Sequence, residues 1–264
     1  MLETRLKPIA EKWGYPTLGA MSMALRLVPD RNMVADVVEA MTFQETSFFR
    51  DQHIFDFIGE ALLPAITRHK KGKKPIRIWS AGCSTGQEAY SVALTAAQKK
   101  DALKGRIVEI IGTDISRSAL DVARHATYSQ FDAQNGLSIR MQMDYFDQIG
   151  ENWRLKTDIR QHVSFHYHNL LDPADGGGVF DIILCRYVLC NFDPAVRQET
   201  LDRMAENLAP EGVLILGSDE RVQDESAQSD NKYYTALPGL DGVYVASSHP
   251  YADKLSPAKI AQSA

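Results

Sequence analysis

The sequence has little of what small secreted proteins and membrane proteins depend on. Only three cysteines occur in 264 residues: Cys83, Cys185 and Cys190. Their count is odd and their spacing matches neither a disulfide framework nor a metal-ligand set. Cross-links therefore do not hold this fold, and a reducing, cytoplasmic setting is expected. No run approaches the roughly 18 apolar residues that a membrane span needs. The opening stretch MLETRLKPIAEKWG lacks an apolar signal core, so neither secretion nor direct membrane insertion is expected. With 17 Gly and 11 Pro, the chain is too poor in both to be collagen-like or disordered. A basic excess is missing too: 29 Lys and Arg against 34 Asp and Glu give a net charge of −5. That balance argues against a dedicated nucleic-acid binder.

What is present is a chain long enough to bury a core, 44% hydrophobic and 24% charged. It suits one large domain, or a domain with a small appendage. Residues 1–74 carry 11 Lys and Arg and 9 Asp and Glu, a net of +2, and the remainder carries 18 and 25, a net of −7. A basic N-terminal part on an acidic body fits an acidic partner, although an asymmetry this small also arises by chance.

Residues 1–70 read as helices. Leu2, Leu6, Ile9 and Ala10 recur at helical spacing, as do Val34, Val37, Val38 and Met41. Phe49, His53, Phe55, Phe57, Ile58, Leu62 and Leu63 continue the pattern to Pro64, and the helix is expected to end at the basic run that starts at Arg68. The basic run from Arg68 to Pro75 reads as a solvated linker.

From Pro75 the texture becomes alternating strands and helices. Strands are expected at Ile76–Ser80, Val108–Gly112, Phe180–Cys185 and Gly212–Gly217. Helices are expected at Gln87–Lys100, Ser118–Arg124 and Pro194–Leu208. Such βαβ alternation implies an α/β fold, with a mainly parallel sheet covered by helices on both faces. A hairpin-like segment at about 145–168 interrupts it. Within that segment Val163, Phe165 and Tyr167 fall on one face and His162, Ser164, His166 and His168 on the other. A second hairpin, YYTAL–PGLDG–VYVA, is expected to close the sheet, and a frayed tail is expected after Tyr251. The division is thus a helical part over 1–70, a main domain over 75–250 and a tail over 251–264.

The chemistry concentrates in a few segments. In RIWSAGCSTGQE a strand runs into a glycine-bearing turn and then a helix. Gly82 and Gly86 allow a tight turn and close approach of a ligand, where a Cβ would intrude. The next strand ends in Asp114, 28 residues after Gly86, where a carboxylate can accept hydrogen bonds from both hydroxyls of a ribose. Turn plus acid suits dinucleotides and S-adenosylmethionine alike. The glycine pattern is not a clean G-x-G-x-x-G, and Glu88 on the first helical turn would repel a pyrophosphate. A cationic ligand with an amino group and a sulfonium suits it better. The segment MTFQETSFFRD (41–51) adds hydroxyls, aromatics and one arginine just upstream of a helix. On its own it reads equally well as a helix cap with core phenylalanines.

Taken together, MTFQETSFFRD, RIWSAGCSTGQEAYSVAL, GTDIS, HNLLD and FDIILCRYVLCNFD resemble, in order and spacing, the motifs of the chemotaxis receptor glutamate methyltransferases, the CheR family. The resemblance covers nearly the whole chain. It implies a doubly wound class I S-adenosylmethionine-dependent methyltransferase fold with a helical N-terminal part and a β-hairpin insertion. It also implies methyl transfer from S-adenosylmethionine to glutamates on chemoreceptor cytoplasmic helices. Residue by residue, Gln44 and Thr46 fall in the motif that reaches the cofactor, and Arg50 also reaches the transfer site. Gly82 belongs to the cofactor turn. Glu88 and Asp114 match the acids that bind the amino-acid and ribose parts. Asn169 and Leu170 match contacts near the adenine, and Cys185 and Arg186 match contacts at the end of the fourth strand.

The chain departs from the family at identifiable places. Gln44 stands where Asn is usual. Tyr187 replaces an Asn, and Asn191 replaces a Tyr that the family places near the reacting methyl. Tyr187 and Asn191 therefore join Arg50 as candidate catalytic residues, and the exchange leaves open a cofactor-binding regulatory module or a different substrate. About 40 residues precede the first motif, fewer than the family's helical domain usually occupies. The insertion has one glycine, Gly150, and no Gly-x-Gly turn. No tight tether to a receptor C-terminal pentapeptide is expected from it. Elsewhere, His162, His166 and His168 read as an exposed polar face, Cys185 and Cys190 as two buried thiols, and a nucleophile-elbow motif is missing.

Overall fold

The computed structural model describes residues 2–173, 177–222 and 233–247; the expected tail lies outside them. Three helices open the chain: α1 (Leu2–Lys12), α2 (Leu18–Leu27) and α3 (Arg31–Met41). They close on a small core of Ala10, Met21 and Met33. Thr17 and Asp30 cap α2 and α3 by accepting from backbone amides that a helix start leaves unpaired. After an extended segment come α4 (Gln52–Phe57), a wide π-turn (Ile58–Leu62) and α5 (Leu63–His69).

The helix runs through Pro64 and ends at His69, within the basic run expected to end it. Proline lacks an N–H and crowds the carbonyl four residues back, and the π-turn just before it accommodates both effects. The amide of Leu63 bonds Ile58, five residues earlier. Arg68 and His69 lie in the last turn of α5; of the basic residues that follow, Lys70 pairs with Asp181 and Lys71, Lys73 and Lys74 are exposed.

The rest runs β1 (Ile76–Ala81), α6 (Gln87–Gln98), β2 (Val108–Asp114), α7 (Arg117–His125), β3 (Thr127–Ser129), α8 (Gln130–Gln134), α9 (Ile139–Tyr145), β4 (Phe146–Ile149), β5 (Asn152–Leu155), α10 (Thr157–Arg160), β6 (Val163–Tyr167), β7 (Phe180–Cys185), α11 (Pro194–Glu206), β8 (Leu208–Leu216), β9 (Tyr234–Ala236) and β10 (Val243–Ala246). Among the described residues, seven strands form the main sheet in the order β6-β2-β1-β7-β8-β10-β9. The first five are parallel, and β10 and β9 are antiparallel additions, the hairpin expected near the C-terminus. Ile76 and Ile78 on β1 and Ile182 to Leu184 on β7 are fully enclosed. Each such side chain contributes about 1.5–3 kcal/mol through burial.

The insertion differs from the expected 145–168 span. Only β4 and β5 form the hairpin, and β3 pairs with β5 to make a separate three-stranded sheet. The strand around Phe165 instead joins the main sheet beside β2. Its alternation reflects an edge strand with one covered face: Phe165 is buried against Gly112 and Gly86, while Ser164 and His166 are exposed. Among the described residues no helix is long and apolar enough to cross a membrane.

Strand order sets where ligands go. From β1 the chain winds outward through β2 to β6, then returns to β7 on the other side of β1. This reversal leaves a crevice at the C-terminal ends of β1 and β7, the usual ligand position in open α/β sheets.

Candidate active site

The turn after β1 is shaped by backbone geometry that few residues tolerate. Gly82, Ser84 and Gly86 all have positive φ, at 73°, 51° and 93°. A Cβ on Gly82 would lie 2.5 Å from Cγ2 of Val188. The amides of Gly82 and Cys83 both donate to the carbonyl of Thr113, at 2.8 and 2.9 Å, fastening the exit of β1 to the end of β2. Asp114 follows. Its two carboxylate oxygens accept from the amides of Ser84 (2.7 Å) and Ser116 (2.8 Å). Burial pushes its carboxyl above the usual carboxylate range, against the opposing pull of those amides.

Glu88, on the first turn of α6, is also held by both oxygens. The Ser80 hydroxyl donates to one at 2.7 Å, and Nη1 of Arg186 donates to the other at 3.2 Å. Two carboxylates around one glycine turn disfavour a phosphate and favour a ligand carrying hydroxyls and positive charge. As acceptors these two carboxylates fit S-adenosylmethionine, Asp114 for its ribose hydroxyls and Glu88 for its ammonium.

The segment after α3 reaches this crevice from the helical side. Phe48 is fully buried, edge-on to Tyr128 and Phe146, and Phe49 packs edge-on against Phe55. The Phe49 amide donates to the Ser91 hydroxyl on α6 at 2.9 Å. Phe49 and Asp51 are left-handed, with φ of 50° and 60°. Such non-glycine residues cost on the order of 1–3 kcal/mol each and collect at functional sites.

Between them, Arg50 lays its guanidinium over the ring of Tyr187, 3.7 Å from the ring centre, and donates to the carbonyl of Glu45 at 3.2 Å. Asp51 faces the other way. Its carboxylate accepts from Arg186 and from the Tyr187 hydroxyl. Burial raises its pKa, but the Tyr187 hydrogen bond and the Arg186 charge outweigh burial and hold it below the usual range.

Arg186 follows β7, and its side chain is only 2% exposed. It spans Glu88, Asp51 and the backbone carbonyl of Arg50, the last at 2.8 Å. Tyr187 is also left-handed, at φ 60°. Its amide is captured by buried Glu220, which accepts from Gly217 and Cys190 as well.

Arg50, Glu88, Arg186 and Tyr187 thus meet in one cluster, and Gly82 and Asp114 form the adjoining turn. The remaining candidates have other settings. Gln44 is exposed and Thr46 half-buried on the extended segment. The Asn169 side-chain oxygen accepts from the Leu171 amide at 3.1 Å, a local turn, and Leu170 is buried. Cys185 is fully buried at the end of β7, where burial pushes its thiol far up. Asn191 is exposed on a short 3₁₀ turn (Leu189–Asn191), and its amide turns back to the Val188 carbonyl at 3.3 Å. Cys190 is exposed rather than buried, because the same turn carries it out of the sheet. Among the described residues no group of three or more His, Cys, Asp and Glu could hold a metal ion.

Sequence reasoning did not single out Asp51, Glu220 or Glu39. Asp51 lay inside a quoted motif, but its partners are 135 and 136 residues away. No spacing rule reaches that far.

The family model for the CheR methyltransferase, SAM binding domain, matches residues 44–236. The chain is 34% identical over 225 residues to the chemotaxis protein methyltransferase of Vibrio parahaemolyticus, covering 84% of this chain and 81% of that one. It is 34% identical over 229 residues to chemotaxis protein methyltransferase 1 of Pseudomonas aeruginosa, covering 85% and 82%. Against the chemotaxis protein methyltransferase of Borreliella burgdorferi the identity is 27% over 228 residues, covering 84% and 80%.

Proposed function

The chain belongs to the CheR methyltransferase family, and from that premise we propose how its residues carry out the family's reaction. It is an S-adenosylmethionine-dependent enzyme that methylates glutamate side chains of chemoreceptors, giving glutamyl methyl esters. The observation that carries this reading is the match over residues 44–236, which spans the cluster from Arg50 to Glu220.

The bound cofactor supplies an electrophilic methyl group on a sulfonium. Asp114 would hold the ribose and Glu88 the ammonium, and Gly82, whose missing Cβ leaves room for Val188, shapes the turn beside them. By the family's motifs Asn169 and Leu170 would contact the adenine, and Gln44 and Thr46 would border the same ligand. Cys185 gives packing at the end of β7, and Arg186 ties Glu88 to the segment that bears Arg50.

A glutamate has a reference pKa near 4.3, so the acceptor is already anionic at neutral pH and needs no general base. What remains is placement and exclusion of water. The planar fork of Arg50 holds the acceptor carboxylate through two parallel hydrogen bonds. Its stacking on Tyr187 restricts it to one orientation. Asn191, where the family has a Tyr, is exposed, with its side-chain amide donating to the Val188 carbonyl. Methylation removes one negative charge from the receptor helix, and that change is the signal.

The enzyme meets its substrate in the cytoplasm, on the receptor's cytoplasmic helices. The hairpin β4–β5, with Gly150 as its single glycine, engages no C-terminal pentapeptide tightly. Incubation with methyl-labelled S-adenosylmethionine and receptor cytoplasmic fragments tests the reading. Base-labile label on the fragment supports it, and label that resists base opposes it.

A further inference from the structure

Arg50 and Asp51 are adjacent in sequence and opposite in charge, yet they do not pair. The left-handed backbone at Asp51 turns its carboxylate away, toward Arg186 and the Tyr187 hydroxyl. The Tyr187 ring in turn supports the Arg50 guanidinium at 3.7 Å. Arg186 donates to the Arg50 carbonyl at 2.8 Å, so it fixes the backbone of the same residue. The ring beneath Arg50 and the donor to its carbonyl thus both belong to partners of Asp51.

We propose that Asp51 is a positioning residue for methyl transfer: by engaging Arg186 and Tyr187 it keeps Arg50 free of a salt bridge and aimed at the acceptor carboxylate. The inference rests on the assignment of Arg50 to the acceptor. A guanidinium paired with its neighbouring carboxylate would have its fork occupied and its charge quenched. Asp51 prevents this by spending its own charge on Arg186. The Tyr187 hydroxyl matters for the same reason, because it sets the angle of the ring beneath Arg50. Left-handed conformations at both Asp51 and Tyr187 are the backbone cost of bringing the two together.

The experiment is a double-mutant cycle on the full chain. Asp51→Asn and Tyr187→Phe are made alone and on an Arg50→Ala background. Transfer to receptor cytoplasmic fragments gives kcat and KM, and calorimetry gives S-adenosylhomocysteine affinity. Asp51→Asn should lower kcat by ~10–100-fold and Tyr187→Phe by about tenfold, the range for hydrogen bonds to charged groups. Cofactor affinity should stay within about threefold of the parent. On the Arg50→Ala background each change should cost less than about threefold, because the residue it acts through is gone.

Additive losses on the two backgrounds would overturn the proposal. So would a fall in cofactor affinity that accounts for the lost turnover. Should Asp51→Asn fail to fold, Tyr187→Phe decides alone, since it keeps the ring and removes only the hydroxyl. A parent protein that places no base-labile methyl on the fragment would overturn the methyl-transfer reading and this inference with it. Additivity in an active parent would overturn this inference only.

Discussion

Glu39 on α3 accepts the hydroxyl hydrogen of Ser116, the cap residue of α7, at 2.5 Å. The same carboxylate accepts from the amides of Arg117 (2.9 Å) and Ser118 (3.3 Å) and from the Ser118 hydroxyl. The N-terminal helices are thereby fastened to the loop whose Ser116 amide donates to Asp114. Burial raises the Glu39 pKa, but the serine hydroxyls and the two amides outweigh it and hold the carboxyl below its usual range. Glu39→Ala should cost about 0.5–2 kcal/mol, the range for a lost helix cap. A carboxyl whose native pKa is lowered contributes stability above its unfolded pKa, near 4.3, and loses it as pH falls through the native value. The gap between parent and variant in denaturant unfolding should therefore be full at pH 7 and close under acid conditions. A gap independent of pH would place the effect elsewhere.

Asp114→Ala should weaken S-adenosylhomocysteine binding by ~1.5–3 kcal/mol, as expected for hydrogen bonds to a charged group. Calorimetry reads this directly. Unchanged affinity would remove Asp114 from the ribose site, and NADH bound as tightly as S-adenosylhomocysteine by the parent would contradict the cofactor assignment.

Arg50→Ala should lower kcat much more than it weakens cofactor binding. Arg50→Lys should rescue poorly, because an ammonium lacks the bidentate fork and stacks less well on Tyr187. Steady-state kinetics beside calorimetry separates the two effects. If lost affinity accounts for all the lost activity, Arg50 binds cofactor rather than acceptor.

Gly82→Ala should be far more damaging than its single methyl implies. The position has φ of 73°, and the new Cβ would overlap Val188. Adding Val188→Ala should relieve the overlap but not the dihedral, which costs roughly 1–2 kcal/mol for a residue with a Cβ. Thermal unfolding and S-adenosylhomocysteine affinity of the single and double variants check this. Full restoration by Val188→Ala would mean that sterics alone select glycine there.

The parallel strands were legible because each is a short apolar run between turn residues, and the turn at Gly82 because its chemistry is local. The placement of Phe165 was not legible. Alternation identifies a strand with one covered face but not which sheet covers it, and Phe165 proved to pack on Gly112 across β2. The π-turn before Pro64 was hidden because it leaves no mark in hydrophobic spacing. At the site, Arg50, Glu88, Asp114 and Arg186 were visible through motifs. Their organisation through Asp51 and Glu220 was not, because it depends on left-handed residues that are not glycine and on partners far along the chain.

Delivery of a methyl group to a receptor glutamate by the cluster around Arg50 is the proposed reaction. Mass mapping of a receptor cytoplasmic fragment after incubation with S-adenosylmethionine and the enzyme tests it most directly. A mass gain of one methylene on glutamate-containing peptides is predicted, removed by mild base and strongly reduced, though still measurable, with Arg50→Ala. A base-stable gain on another residue type, or an unmodified fragment with a parent protein that binds S-adenosylhomocysteine, would contradict it.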